Sequence, residues 1–433
     1  LTAFSVGSAT ENAVNKMTVN KVGMTMHTSF AIRNATKIDA SGMVPHFWMV
    51  VSEGKIAAVG TSDDDFDAAA RQAGIVDSSA AVGAGAGTGS DTSTVIDATG
   101  RYLVPGYIDM HSHGAAGGDF DTSTQTILAG RNYHLQHGTT RQLASLITNP
   151  LDVMEKNISR VASVMESRPD ILGMHLEGPF LSPLHKGAHD PACLKDPTND
   201  VVDRLLNAAP GAIRQITIAP ELPHGMSGIA HMAARGVIPA VGHCDADYAQ
   251  ARSAFQAGAG ILTHIYNAMN GIHHRAPGPI PAAVENPNVT VELINDGFHV
   301  QDPAVRIAFD LAPHRIAFVT DSMAATGCPD GPYKLGNLDV RVVDGHARLV
   351  SNGAIAGSTL TLETAVQRAI IEVGISPVAA VEAATHVPAT TLGFGKRFGL
   401  LEPGFDADAL LLSPDWSVEH TWCGGVRAED IVR

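Results

Sequence analysis

The chain has 433 residues, 45% hydrophobic and 17% charged, a globular balance with room for one large core and a smaller domain. Its 44 acidic and 29 basic residues give a formal charge of -15, which argues against a nucleic-acid partner because a phosphate backbone selects basic surfaces. No uninterrupted apolar run reaches the ~18 residues a membrane span needs, so no membrane partner is expected.

Residues 1–24 are polar and mixed, lack the basic start and apolar centre of a signal peptide, and read as a disordered tail. Residues 25–103 read as the first part of a small β domain, with FWMVVSEGKIAAVG as two short strands around Glu53 and Gly54. Within that part, residues 62–94 include DSSAAVGAGAGTGSDTS, a composition that packs no core and predicts a flexible surface insertion. From 104 to 395 short apolar runs alternate with helical stretches, which is the pattern of βα units and a parallel sheet. Eight runs end near His111, Ile147, Glu177, Glu221, His243, His264, Asp296 and Asp321, about 30 residues apart on average, as in a (β/α)8 TIM-type barrel. Two helical stretches, 361–373 and 376–392, follow. Residues 396–433 return to short strands and complete the small β domain, a β-sandwich formed by the N- and C-terminal segments. The four cysteines, Cys193, Cys244, Cys328 and Cys423, form no C-x-x-C and read as reduced thiols of a cytoplasmic protein.

The chemistry gathers at the run ends, because C-terminal strand ends of a barrel converge on one mouth. PGYIDMHSHG carries Asp109, His111 and His113. Alternate strand residues share a side, so the two imidazoles face one way, as zinc-type ligands do; alone, the pair fits an ordinary core or surface equally well. HLEGPF ends the third run on Glu177, a carboxylate whose burial is costly unless it is paired or metal-bound. His189 follows on the next loop. His243 in AVGHCDA and His264 in ILTHIYNAMN occupy equivalent places in successive units, which a chance core histidine does not explain twice. Asp321 in FVTDSMAATG ends the eighth run and suits a metal ligand, a general base, or both. Four histidines and two carboxylates can hold one metal or two; a bound metal lowers the pKa of water toward ~7, and a neighbouring carboxylate can move its proton.

HLEGPF with Lys186, Gly187 and His189, then His243, THIYNAMN, Arg275 with APG, DGFH, VTDSMAATG and AGSTLTL resemble, in that order, the amidohydrolase superfamily and within it the N-acetylglucosamine-6-phosphate deacetylase family. The resemblance spans about residues 29–425. It implies that Glu177, His243 and His264 bind a catalytic metal, and that His111 and His113, with Glu177 bridging, bind a second. One or two divalent metals per subunit are expected, zinc first, with iron, manganese and cobalt equally suited to these donors. It further implies Asp321 as general acid/base and His189 as a contact to the sugar or the acetyl carbonyl. The backbone amides of Asn267 and Ala268, with the His299 side chain, would hold a phosphate. Arg275 would reach into a neighbouring subunit's site, which implies a homodimer. The expected reaction is deacetylation of N-acetylglucosamine 6-phosphate. Its alternatives are deacetylation of the galactosamine isomer and a non-catalytic barrel that binds sugar phosphates; retention of all six ligand and acid/base positions argues against the latter. His185, Asn270, His273 and His274 depart from the family pattern, and the segment near Ala80 lies outside it.

Overall fold

The computed structural model describes residues 29–75 and 94–432, so the predicted tail and residues 76–93 of the predicted insertion lie outside the described residues. Eight parallel strands follow one another around a barrel: Tyr107–Asp109, Thr139–Ile147, Ile171–Phe180, Ile213–Ile218, Ile238–Val241, Ile261–Leu262, Thr290–Leu293 and Ile316–Phe318. The second and third strands are buried at every residue, as expected for strands covered on both faces. The barrel joins its first and last units just beyond the strands: the Asp321 amide donates to the His111 carbonyl, and the His113 amide to the Ser322 carbonyl, both at 2.8 Å.

The intervening helices are locally encoded. The helix after the fifth strand, Tyr248–Gln256, starts at Asp247, whose carboxylate accepts from the Gln250 amide at 2.8 Å while the Gln250 side chain accepts from the Asp247 amide at 3.0 Å. The last two helical stretches fill the ranges that the sequence pattern predicts, but each is interrupted. One is an α-helix over Leu362–Arg368 that widens into a π-turn over Ala369–Val373; the other divides into Pro377–Ala384 and His386–Thr391.

Chain segments from both ends build the second sheet. Its order is Val426–Arg427, Val418–Cys423, Ala409–Leu412, Tyr102–Pro105, Phe30–Asp39, Gly42–Ser52 and Lys55–Gly60, with Thr94–Asp97 also paired to Phe30–Asp39. The turn into Gly42–Ser52 is held by Asp39, whose carboxylate accepts from the Ser41 amide at 2.9 Å. A buried bidentate pair ties this sheet to the barrel: Arg141 of the second strand donates to both Asp408 oxygens, at 2.6 and 2.9 Å. Two findings correct the sequence reading. Asp63–Gln72, at the start of the segment expected to be a flexible insertion, is a helix, because Phe66 and Ala70 bury one side of it against Trp48 and Val50. A three-stranded antiparallel sheet, Gly331–Leu335, Leu338–Val343 and His346–Leu349, follows the eighth barrel strand and was not anticipated. Among the described residues no helix is long and apolar enough to cross a membrane.

Candidate metal centre and substrate cavity

The barrel interior under the mouth is unusually polar. His111, Gln142, Ser145, His175, Gln215, Thr217, Thr263, Glu292 and Thr320 are all buried there, where barrels of this type commonly pack branched aliphatic side chains. Three of the chemistry-bearing residues sit two or three positions beyond their strands, where the backbone turns sharply: His243, His264 and Asp321 have φ of 46°, 25° and 46°. Non-glycine residues adopt this left-handed region at a cost, and such strain concentrates at functional sites.

Glu177 is the centre of the arrangement. Its Oε1 lies 3.0 Å from His243 Nε2, 3.3 Å from His111 Nε2 and 3.4 Å from His264 Nε2. Its Oε2 lies 3.1 Å from His113 Nε2 and 3.3 Å from His189 Nε2. Asp321 Oδ1 stands 3.4 Å from His113 Nε2 and 3.6 Å from His111 Nε2. Two candidate ligand sets result, His111–His113–Glu177–Asp321 and Glu177–His243–His264, with Glu177 common to both.

The donor atoms fit a divalent cation. The Nε2 atoms of His243 and His264 face each other at 3.0 Å, and those of His111 and His113 at 3.2 Å. Ligands at the ~2.0–2.1 Å zinc–nitrogen distance in a tetrahedron are separated by about 3.3 Å, close to what is observed. Electrostatics agree. Burial opposes a charge on His111, yet the Glu177 and Asp321 carboxylates hold its imidazole well above the ordinary value. Burial likewise opposes the Glu177 carboxylate, but the surrounding imidazoles, His111 foremost, hold it well below the usual range. This point in the fold draws positive charge, which a divalent cation supplies.

The loop after the third strand brings further groups in. The His243 Nδ1 faces the His185 carbonyl at 2.9 Å, which directs its Nε2 toward Glu177. Gly187 allows this approach: it has φ of 55°, and a Cβ there would come within 3.0 Å of His243 Cε1. Burial pushes the His189 imidazole down to about 4, so it is neutral.

A cavity of about 350 Å³ opens over these residues, within the range of small-molecule sites. His113, Glu177, His189, His243, His264 and Asp321 line it, together with Asn267, Ala268 and His299. His299 is aimed by Asp296, whose Oδ2 lies 2.7 Å from its Nδ1. The Asn267 amide already donates to the His264 carbonyl at 3.0 Å, so an incoming anion would share it. Leu335, within the unanticipated three-stranded sheet, and Ile355, just beyond it, add to the lining. Arg275 is not brought into this cavity; it is exposed, with its Nη1 2.7 Å from His274 Nε2. Sequence reasoning missed Glu292 and His175, both buried below the candidate ligands. The available signal was a charged or ionisable residue inside an otherwise apolar strand.

The Amidohydrolase family model matches residues 102–428. The chain is 34% identical to the N-acetylgalactosamine-6-phosphate deacetylase of Escherichia coli O157:H7 over 77% of this chain and 89% of that protein. It is 32% identical to the N-acetylglucosamine-6-phosphate deacetylase of Lysinibacillus sphaericus over 91% of this chain and 96% of that protein. A solved structure of a mutant N-acetyl-D-glucosamine-6-phosphate deacetylase from Mycobacterium smegmatis, in complex with N-acetyl-D-glucosamine-6-phosphate, aligns with a TM-score of 0.82 at 34% identity, covering 93% of this chain and 99% of that one.

Proposed function

The chain belongs to the amidohydrolase family, and from that membership we propose that it hydrolyses N-acetyl-D-glucosamine 6-phosphate to D-glucosamine 6-phosphate and acetate. The observation that carries the reading is the shared carboxylate: Glu177 joins two ligand sets in the lining of a cavity that His299 and Ala268 also line. Relatives that act on acetylated amino-sugar phosphates match most of the chain.

Glu177, His243 and His264 would hold the catalytic divalent cation, and His111 and His113 with Glu177 a second; zinc suits the donors first, with iron, manganese and cobalt as alternatives. Such a cation supplies a water activated near neutral pH and polarises the acetyl carbonyl. Asp321 takes one proton from the attacking water as its oxygen bonds to the carbonyl carbon. It returns that proton to the amine nitrogen as the C–N bond breaks, and the acetic acid so formed gives its remaining proton to the free amine, so acetate and the amino sugar leave. Neutral His189 donates a hydrogen bond to the acetyl oxygen as negative charge develops there. The phosphate lies on the Ala268 and Asn267 amides and on His299. Arg275 reaches the same phosphate from a second copy in a homodimer, since its own chain points it outward. This enzyme works in the cytoplasm, with its four cysteines as free thiols.

One observation favours a second reading, deacetylation of N-acetylgalactosamine 6-phosphate: the Escherichia coli relative carrying that name is as similar as relatives named for the gluco isomer. Parallel kcat/KM measurements on both sugar phosphates and on the unphosphorylated sugars decide the matter. A preference for the phosphorylated gluco substrate supports the first reading, and activity on neither sugar phosphate overturns both.

A further inference from the structure

Glu292 occupies the seventh barrel strand, Thr290–Leu293, and is fully buried. An unpaired carboxylate at that depth is strongly disfavoured, so its partners define its role. Its Oε2 lies 3.3 Å from His111 Nδ1 and accepts from the His264 backbone amide, also at 3.3 Å. Its Oε1 accepts from Gln215 Nε2 at 2.7 Å. One oxygen atom therefore meets His111 of one ligand set and His264 of the other. The remaining imidazoles differ: Nδ1 of His113 and of His264 are buried without a partner, and His243 leans on a backbone carbonyl.

We propose that Glu292 is a positioning residue for metal: it keeps a proton on His111 Nδ1, aims the Nε2 lone pair at the His111–His113–Glu177–Asp321 set, and fixes the backbone that carries His264. A carboxylate behind a ligating histidine fixes its tautomer and raises its basicity. The strand arrangement gives the brace its rigidity. His111 hangs beyond the first strand and His264 beyond the sixth, and Glu292 holds both from the seventh.

This rests on the metal assignment above and not on the substrate. The test is zinc titration of the full chain against a chromophoric chelator, with elemental analysis, for wild type, Glu292→Gln and Glu292→Met. Gln keeps the shape and can still accept from His111 if Gln215 turns its amide, whose Oε1 is unpaired. Met removes both charge and acceptor. The expected result is a weakened His111-set site, about 10-fold in the Gln variant and about 100-fold in the Met variant. The Glu177–His243–His264 site should change far less in the Gln variant, whose melting temperature should stay near wild type. General damage would weaken both sites together. Equal zinc affinity at both sites in all three proteins overturns the proposal. So does equal weakening of both sites in the Gln variant. A wild type that takes up no divalent metal overturns the metal assignment and this proposal with it. Because zinc is the readout, the outcome does not depend on which acetylated sugar, if any, the enzyme hydrolyses.

Discussion

Asp321 is the residue on which acid–base chemistry and metal binding separate most cleanly. Its Oδ1 stands beside the His111–His113 pair, and it also faces the cavity. Asparagine keeps an oxygen for coordination but cannot shuttle a proton. Asp321→Asn is therefore expected to retain metal by elemental analysis while kcat falls by about 10²–10⁴. Wild-type kcat in that variant would remove Asp321 from the proton path. His111 and His113 separate in the opposite way. The Glu177–His243–His264 set does not need them, so the double alanine variant is expected to keep one metal and partial activity. Loss of all metal and activity would mean that the two sets form one indivisible centre. Residues of this kind were largely legible: Glu177, His243, His264 and Asp321 stand at the ends of apolar runs, where polarity is conspicuous. Glu292 was not, because its meaning depends on His111, which is 181 positions away in sequence. Arg275 was legible as a motif residue, but a single chain leaves it outside the cavity.

At the scale of elements, runs buried on both faces declared themselves as strands, while their ends did not. The fifth, sixth and eighth strands stop at Val241, Leu262 and Phe318. The candidate ligand positions His243, His264 and Asp321 follow on left-handed turns that composition does not encode. The helix Asp63–Gln72 was obscured because only Phe66 and Ala70 of its ten residues are buried, among aspartates that resemble a loop. The three-stranded sheet shows strict alternation in LDVRVV and HARL around Asp344 and Gly345, a hairpin signal that a barrel count passes over. One element junction carries a pH prediction. Arg131, on the helix Thr124–Gln136, donates to the Thr139 and Thr140 carbonyls at the start of the second strand and pairs with Asp170 at 2.8 Å; Arg168 also binds Asp170 with two nitrogens. Burial opposes the Asp170 carboxylate, but Arg131 and Arg168 hold it at about 2, below the ordinary 3.8. A depressed carboxylate stabilises the fold above its unfolded pKa, and that contribution fades as pH falls through the folded value. It amounts to roughly 2 kcal/mol at neutral pH, and its loss is confined to about pH 4 down to 2. Urea unfolding should show stability falling across that window in wild type and falling less steeply in Asp170→Asn, which starts lower because Arg131 is left unpaired.

At the scale of the whole molecule, the charge of -15 makes an anionic substrate depend on local cations. His299 supplies an imidazole hydrogen-bonding group within the cavity, while the cationic Arg275 faces outward beside the exposed Ile272 and His274. A symmetric pair of chains, as proposed above, would resolve this arrangement, because in a closed dimer each chain can lend the same residue to the other. Removing a charge-assisted contact to phosphate costs about 1.5–3 kcal/mol, so Arg275→Ala should lower kcat/KM for the sugar phosphate by about 10–100-fold. It should leave the slow hydrolysis of the unphosphorylated sugar unchanged. A complementation experiment locates the arginine. In a hybrid of Arg275→Ala with Asp321→Asn chains, the first chain has a complete acid–base centre and receives Arg275 from the second. The second chain has neither Asp321 nor a partner arginine. Random exchange makes half the dimers hybrid with one working site each, so kcat/KM at low substrate should recover to about a quarter of wild type. Exchange without recovery, verified by native mass spectrometry, would mean that Arg275 serves its own chain or does not reach the phosphate. A monomer in gel filtration with full activity on the sugar phosphate would exclude a shared site altogether.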